Sequence, residues 1–361
     1  MKRKKIKYIN FSKNLTNKIR KPFQTFALII KKQTSNCQTK KEIILKKNKA
    51  SRTILSQSAL ALLIAYFLAC MIFQPAKYIT QSLNGISAWA FNVLPSVLPF
   101  MFFTKILSNI STIEKATRPF STVTTKLFKS PAISAYTFLM AILSGYPVGS
   151  RMIADLYLQG KITKQDAFKM SSFCSTSGPM FIIGAVGIGM FHSAKIGYVL
   201  FVSHIVGALA NGFCWRNLKT KNDTSFASSL PPQTDKPTLS DIVTSSTLSI
   251  LSVGCLIAIF FIIIETFSPL LSLFCPPIKG LFEGVIEITK GCISLSALQN
   301  KTLSTILCSF VISFGGISTI LQAITMLNKV KMPTKLFVFQ KLTHAILSCI
   351  TTVLLVLIFH L

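Results

Sequence analysis

The stretch Leu139–Leu156, LMAILSGYPVGSRMIADL, follows an almost wholly apolar run from Pro131. It then places Gly145, Tyr146, Pro147 and Gly149 within five positions. An apolar run of this kind reads as a membrane-crossing helix, and proline and glycine at its centre withdraw a backbone donor and helix support. In hydrocarbon an opened hydrogen-bond ladder is tolerated only where protein or a water-filled cavity covers it. The break therefore has two readings: a kink in a tightly packed helix, or the backbone of a binding site. A second apolar run, residues 302–327, carries Ser313, Phe314, Gly315, Gly316 and Ser318 in mid-segment. Matched breaks in two halves of a hydrophobic chain favour the site, because transporters bind solute at such interruptions.

Composition supports a bilayer setting. Half of the 361 residues are hydrophobic and only 14% are charged, against about a quarter in soluble domains. The net charge of +29 lies largely outside the apolar runs, with seventeen Lys or Arg in residues 1–52 against the single Glu42. That tail reads as a disordered cytoplasmic flank under the positive-inside rule, able to hold anionic lipid headgroups. Its aromatics are scattered and no RNA-binding motif is present, so nucleic acid is not an expected partner. No cleavable signal peptide is expected, since the first long apolar run starts near Ile54. The nine cysteines show no CxxC spacing and sit mostly in apolar runs. They imply neither a disulfide framework nor a metal site.

The chain divides into the tail 1–52, a first membrane half 53–215, a polar linker 216–240 with Pro231, Pro232 and Pro237, and a second half 241–361. Expected elements of the first half are a span at Ile54–Phe73 and a segment Leu83–Leu107 with Pro95 and Pro99. A basic loop 105–130, the broken helix and a polar interfacial helix Gln159–Ser171, capped by Thr163 with Asp166, come next. The Gly-rich span Phe173–Phe191 and a span Lys195–Trp215 complete it. The second half offers Ile242–Phe267, Lys279–Leu298, the second broken helix, a basic loop with Lys329, Lys331, Lys335 and Lys341, and a last span. The fold class is all-α, a polytopic helical membrane protein of two weakly repeated, partly inverted halves with paired broken helices. On this alignment Leu139–Leu156 matches 302–327, Phe173–Phe191 has no counterpart, and Lys195–His204 matches Lys335–His344. Nine spans fit the charge pattern, or fewer if some segments are re-entrant hairpins.

Candidate solute-binding groups are Gly145, Tyr146, Pro147 and Gly149 at the first break, and Phe314, Gly315, Gly316 and Ser318 at the second. Ser177, Gly178 and Pro179, at the mouth of the Gly-rich span, add hydroxyl and freed backbone. Gln322 can both donate and accept hydrogen bonds. Ionisable residues inside apolar segments are functional candidates because burying charge in hydrocarbon is costly. Glu287 is placed to carry a proton or a cation, or to pair with Lys290. His204 and His344 occupy matched positions for a proton relay or for packing. Arg151 and Asp155, four apart on one helix face, can pair, or Arg151 can meet an anionic solute. Asp241 and Glu265 fall near span ends and read as interfacial.

Four motifs occur in order: G-Y-P-x-G at Gly145–Gly149, T-S-G-P-M-F-I-I-G-A-V-G at Thr176–Gly187, E-I-T-K-G at Glu287–Gly291, and S-F-G-G-I-S at Ser313–Ser318 followed by Gln322. Over residues 55–360 the chain resembles the YlbJ-type sporulation integral membrane proteins, a branch of the nucleoside-recognition (Gate) domain family. The resemblance implies a transporter-like protein of duplicated halves in the membrane of a spore-forming bacterium, associated with the spore cortex. It implies a small polar solute, nucleoside-like or cortex-related, and other sporulation membrane proteins as partners beside the lipid bilayer. The alternative is a non-transporting scaffold that recruits such partners. No catalytic constellation stands out, so no enzyme activity, cofactor or metal is expected.

Overall fold

Helix α1, Gln57–Phe73, is an apolar helix that ends one residue before a second, much larger unit beginning at Gln74. The structure, a computed structural model, describes residues 57–108, 117–219 and 238–359. The basic tail 1–52, most of the linker 216–240 and part of the basic loop 105–130 lie outside the described residues.

From Pro75 the chain continues as α2 (Pro75–Ala88), a π-helical turn (Trp89–Val93) and α3 (Leu94–Ser108). Pro95 and Pro99 do not end it. Proline removes an N–H and clashes with the preceding turn, and a π-turn is one way a helix absorbs such a defect. The segment is thus one long, kinked apolar helix from Pro75 to Leu107. It packs on α9 (Leu239–Thr266) through small residues. A Cβ at Gly85 would lie 2.9 Å from Ala258 Cα, and one at Gly254 would lie 2.6 Å from the Trp89 ring.

After α4 (Arg118–Phe128), the Leu139–Leu156 stretch proves to be two antiparallel arms, α5 (Ser134–Ser144) and α6 (Val148–Leu158). A Cβ at Gly149 would stand 2.8 Å from Ala141 Cβ, so the arms lie against each other. An 11-residue arm is about 16 Å long, about half of a hydrocarbon core of about 30 Å. The element is a half-depth hairpin rather than a broken through-going helix. The segment Pro276–Ser296 does the same as α11 (Pro276–Ile286) and α12 (Ile288–Ser296), following the short α10 (Ser268–Leu271). Here a Cβ at Gly291 would fall 2.1 Å from Gly284 Cα, and one at Gly280 2.8 Å from Leu295.

The interrupted, extended helices are the next elements in each half. One is α7 (Lys164–Cys174) with the π-helical segment Met180–Met190; the other is α13 (Lys301–Phe314) with α14 (Gly316–Leu327). Each leads into a long helix, α8 (Ala194–Cys214) or α15 (Thr334–Phe359). The repeat is therefore hairpin, interrupted helix, long helix, twice over. The first hairpin matches Pro276–Ser296, not 302–327, and the Gly-rich span finds its counterpart in 301–327. The Lys195–His204 and Lys335–His344 alignment fits this order.

Two further expectations change. Helix α7 carries the Thr163–Asp166 capping box, yet Ala167 to Cys174 are all buried, so it is not interfacial. Its polar groups are met inside: Lys169 donates to the Lys129 carbonyl and Ser171 to Gln340 Oε1. Helix α15 starts at Thr334 and takes Lys341 with it; the side chain is only 2% exposed and does not belong to a basic loop. Among the described residues five helices are long and apolar enough to cross a membrane. Of the four other expected spans, two are the half-depth hairpins, one is the shorter apolar helix Gln57–Phe73 and one holds the short π-helical segment Met180–Met190. Helices α8 and α15 clasp at Gly207, where a Cβ would lie 3.0 Å from Ser348 Cα. An all-α polytopic membrane protein results, its two repeats interleaved in one unit from Gln74 onward.

Candidate functional site

The tips of both hairpins meet the gaps of both interrupted helices. Gly145 has φ +69° and Gly315 φ +91°, left-handed values that disfavour a side chain. Space forbids one as well. A Cβ at Gly145 would lie 2.7 Å from the Gly178 nitrogen, and one at Gly316 would lie 3.1 Å from both Gly284 O and Ile288 N. Gly315 faces the Tyr146 hydroxyl, at 3.2 Å from its Cβ position. Residues 145–147, 175–179, 287 and 315–316 are thereby brought to one place. The Tyr146–Pro147 peptide is cis.

Beside this junction lies a cavity of about 100 Å³ with an open mouth. Its polar end is formed by Tyr146, Ser177, Glu287, Ser318, Thr319 and Gln322. Apolar side chains from α3 and α9, among them Val97, Phe100, Ile250 and Ile257, form the opposite wall. Glu287 is 1% exposed and caps α12, its carboxylate accepting the Lys290 N–H at 2.7 Å. The hydroxyls of Thr289 and Ser318 line the same space, are buried, and make no hydrogen bond of standard geometry.

Behind the Tyr146 wall runs a buried polar chain. The Tyr146 hydroxyl donates to the Ser175 carbonyl at 2.8 Å, and Lys341 Nζ donates to the same oxygen at 3.0 Å. Lys341 also sits 5.1 Å from the Tyr146 ring centre and 3.3 Å from His344 Nδ1. His344 Nε2 reaches the His204 carbonyl at 3.0 Å. His204 in turn accepts the Ser177 N–H on Nε2 at 3.0 Å and meets the Ser313 hydroxyl on Nδ1 at 2.9 Å. Four elements are tied to the two breaks through these side chains.

The chain is similar to the sporulation integral membrane protein YlbJ of Bacillus subtilis (strain 168), 26% identical over 341 residues, 83% of this chain and 84% of that protein. No protein-family model and no solved structure matches this chain.

In this chain Gly145, Tyr146, Pro147, Ser177, Gly178, Glu287, Ser318 and Gln322 line the cavity. Gly149, Pro179, Phe314, Gly315 and Gly316 do not line it; at Gly149 the Cβ position is 1.8 Å from the Cys174 carbonyl. His204 and His344 stand in the polar chain, their rings 4.7 Å apart. Arg151 and Asp155 pair with each other at 3.7 Å, with side chains 65% and 42% exposed, away from the cavity. Asp241 closes a capping box with Thr238, and Glu265 pairs with Lys77 at 3.0 Å. Lys341 is the residue that sequence reasoning missed. Its signal was present: it lies three residues before His344, on one face of an apolar helix.

Proposed function

We propose that this protein is a permease for a small polar solute, acting in sporulation and built like a secondary transporter. The solute sits between the two hairpin tips, with its polar groups on Tyr146, Ser177, Ser318 and Gln322 and its body against the α3–α9 wall. The observation that carries this reading is the meeting of four helix interruptions at one cavity. Interrupted helices place free carbonyls and N–H groups where a solute can replace water. The YlbJ-type resemblance adds the sporulation setting and a multi-pass place in the bacterial cell membrane, and the basic tail adds a cytoplasmic amino terminus under the positive-inside rule. A nucleoside-like or cortex-related solute suits a cavity with one polar end and one apolar wall, and the protein acts without catalysis.

The test is thermal unfolding of purified protein with nucleosides, nucleotides and peptidoglycan precursors. One compound class stabilises the wild type and fails to stabilise Tyr146→Ala and Gln322→Ala. A scaffold behaves otherwise: none of these solutes stabilises it, the two substitutions leave sporulation intact, and deletion of residues 1–52 abolishes it.

A further inference from the structure

The two repeats finish their junctions with different chemistry. In the first, the Ser175 carbonyl at the end of α7 is held by an amine of the protein itself, Lys341. In the second, Glu287 meets Gly316, and among the described residues no amine forms an ion pair with it. Lys341 lies six residues after Lys335, and six residues after Lys195 stands Phe201.

Glu287 is left as a buried carboxylate without a cationic side chain. The ion pairs described in the structure are Lys77–Glu265 and Arg151–Asp155, and Glu287 is in neither. Lys290 gives it a backbone N–H, while the Lys290 amine lies over the Phe261 ring, 5.2 Å from its centre, and acts on the carboxylate only at longer range. Thr289 and Ser318, 0% and 2% exposed, bring hydroxyl oxygens to the same cavity with lone pairs unused. Helices α11 and α13 end at this point and α12 and α14 begin there, so carbonyls and N–H groups of helix ends lie side by side. A carboxylate, two hydroxyls and helix-end carbonyls make an all-oxygen set, which suits hard cations. Of the two buried carboxylates of this hairpin, Glu283 accepts from Ser294 and does not line the cavity, so one carboxylate faces it, which suits a single positive charge. Among the described residues no group of three or more His, Cys, Asp or Glu exists to hold a transition metal.

We infer that the second hairpin tip, through Glu287, Thr289 and Ser318, holds a small monovalent cation. That cation is either a free alkali ion or the ammonium group of a solute. The inference deepens the permease reading and rests on the same cavity, but it is read without any transported solute.

The experiment compares thermal unfolding of purified protein in sodium, lithium, potassium, methylammonium and choline chloride at equal ionic strength. A saturable stabilisation by an alkali ion, relative to bulky choline, supports a free ion; stabilisation by methylammonium alone supports a solute ammonium. In either case Glu287→Gln raises the half-saturating concentration about tenfold or more, each factor of ten being about 1.4 kcal/mol. The double variant Thr289→Val with Ser318→Ala keeps the carboxylate and shows a smaller rise in the same direction, which covers the case where Glu287→Gln does not fold. Equal unfolding of the wild type in all five salts overturns the inference. So does a cation response that the double variant leaves unchanged. A retained cation response with no stabilisation by any candidate solute sinks the solute class and leaves the site standing.

Discussion

Lys341 and Tyr146, almost two hundred residues apart in the chain, donate to one acceptor, the carbonyl oxygen of Ser175, at 3.0 and 2.8 Å. That oxygen belongs to the last turn of an interrupted helix, where intrahelical partners run out. Lys341→Met removes one of two donors and leaves Tyr146 on the acceptor, so it is expected to destabilise the protein by about 1 kcal/mol, the usual net worth of one buried hydrogen bond. Thermal unfolding of the purified variant checks it, and wild-type stability in Lys341→Met would mean that the amine contributes nothing to the junction.

His204 joins Ser177 to Ser313 across the two breaks. Its replacement by alanine leaves a buried N–H unpaired and is expected to cost about 1–3 kcal/mol. Because Ser313 shares the link, a double-mutant cycle of His204→Ala and Ser313→Ala should show coupling of about 0.5 kcal/mol or more. Additive losses would break the link.

The second hairpin tolerates no added methyl group at its crossing point. With Gly284 Cα 2.1 Å from the Cβ position, Gly291→Ala must force the arms apart. Overpacking of this kind costs about 1–3 kcal/mol, and here the obstacle is backbone. The expected result is lower thermal stability together with weaker solute and cation responses.

Arg151 and Asp155 supply the contrast. Theirs is an exposed pair on α6, and such pairs contribute about 0–1 kcal/mol. Arg151→Ala should leave solute-induced stabilisation unchanged. A lost response in that variant would extend the site beyond the cavity.

Much of this was legible in the chain. Gly145 and Gly315 announced the interruptions because left-handed backbone needs glycine, and Thr163 with Asp166 announced a helix start. What the chain concealed was which interruption is a turn and which a gap. An apolar arm of eleven residues looks like half of a longer span until its partner is known. The clue lay in small residues at equal distances from a tip: Ala141 and Gly149 about Gly145, Gly284 and Gly291 about the Glu287–Ile288 step. Without that clue the repeats were paired wrongly. Lys341 was hidden for a related reason: a lysine close to other lysines reads as loop until the helix is seen to begin at Thr334.

The tight seams within the hairpins limit how the molecule can deform. Where Gly284 abuts Gly291 and Ala141 abuts Gly149, one arm cannot slide along the other without collision. In the proposed permease each pair moves as one stiff peg, carrying Tyr146 or Glu287 at its point. Opening of the chamber then means tilting two such pegs.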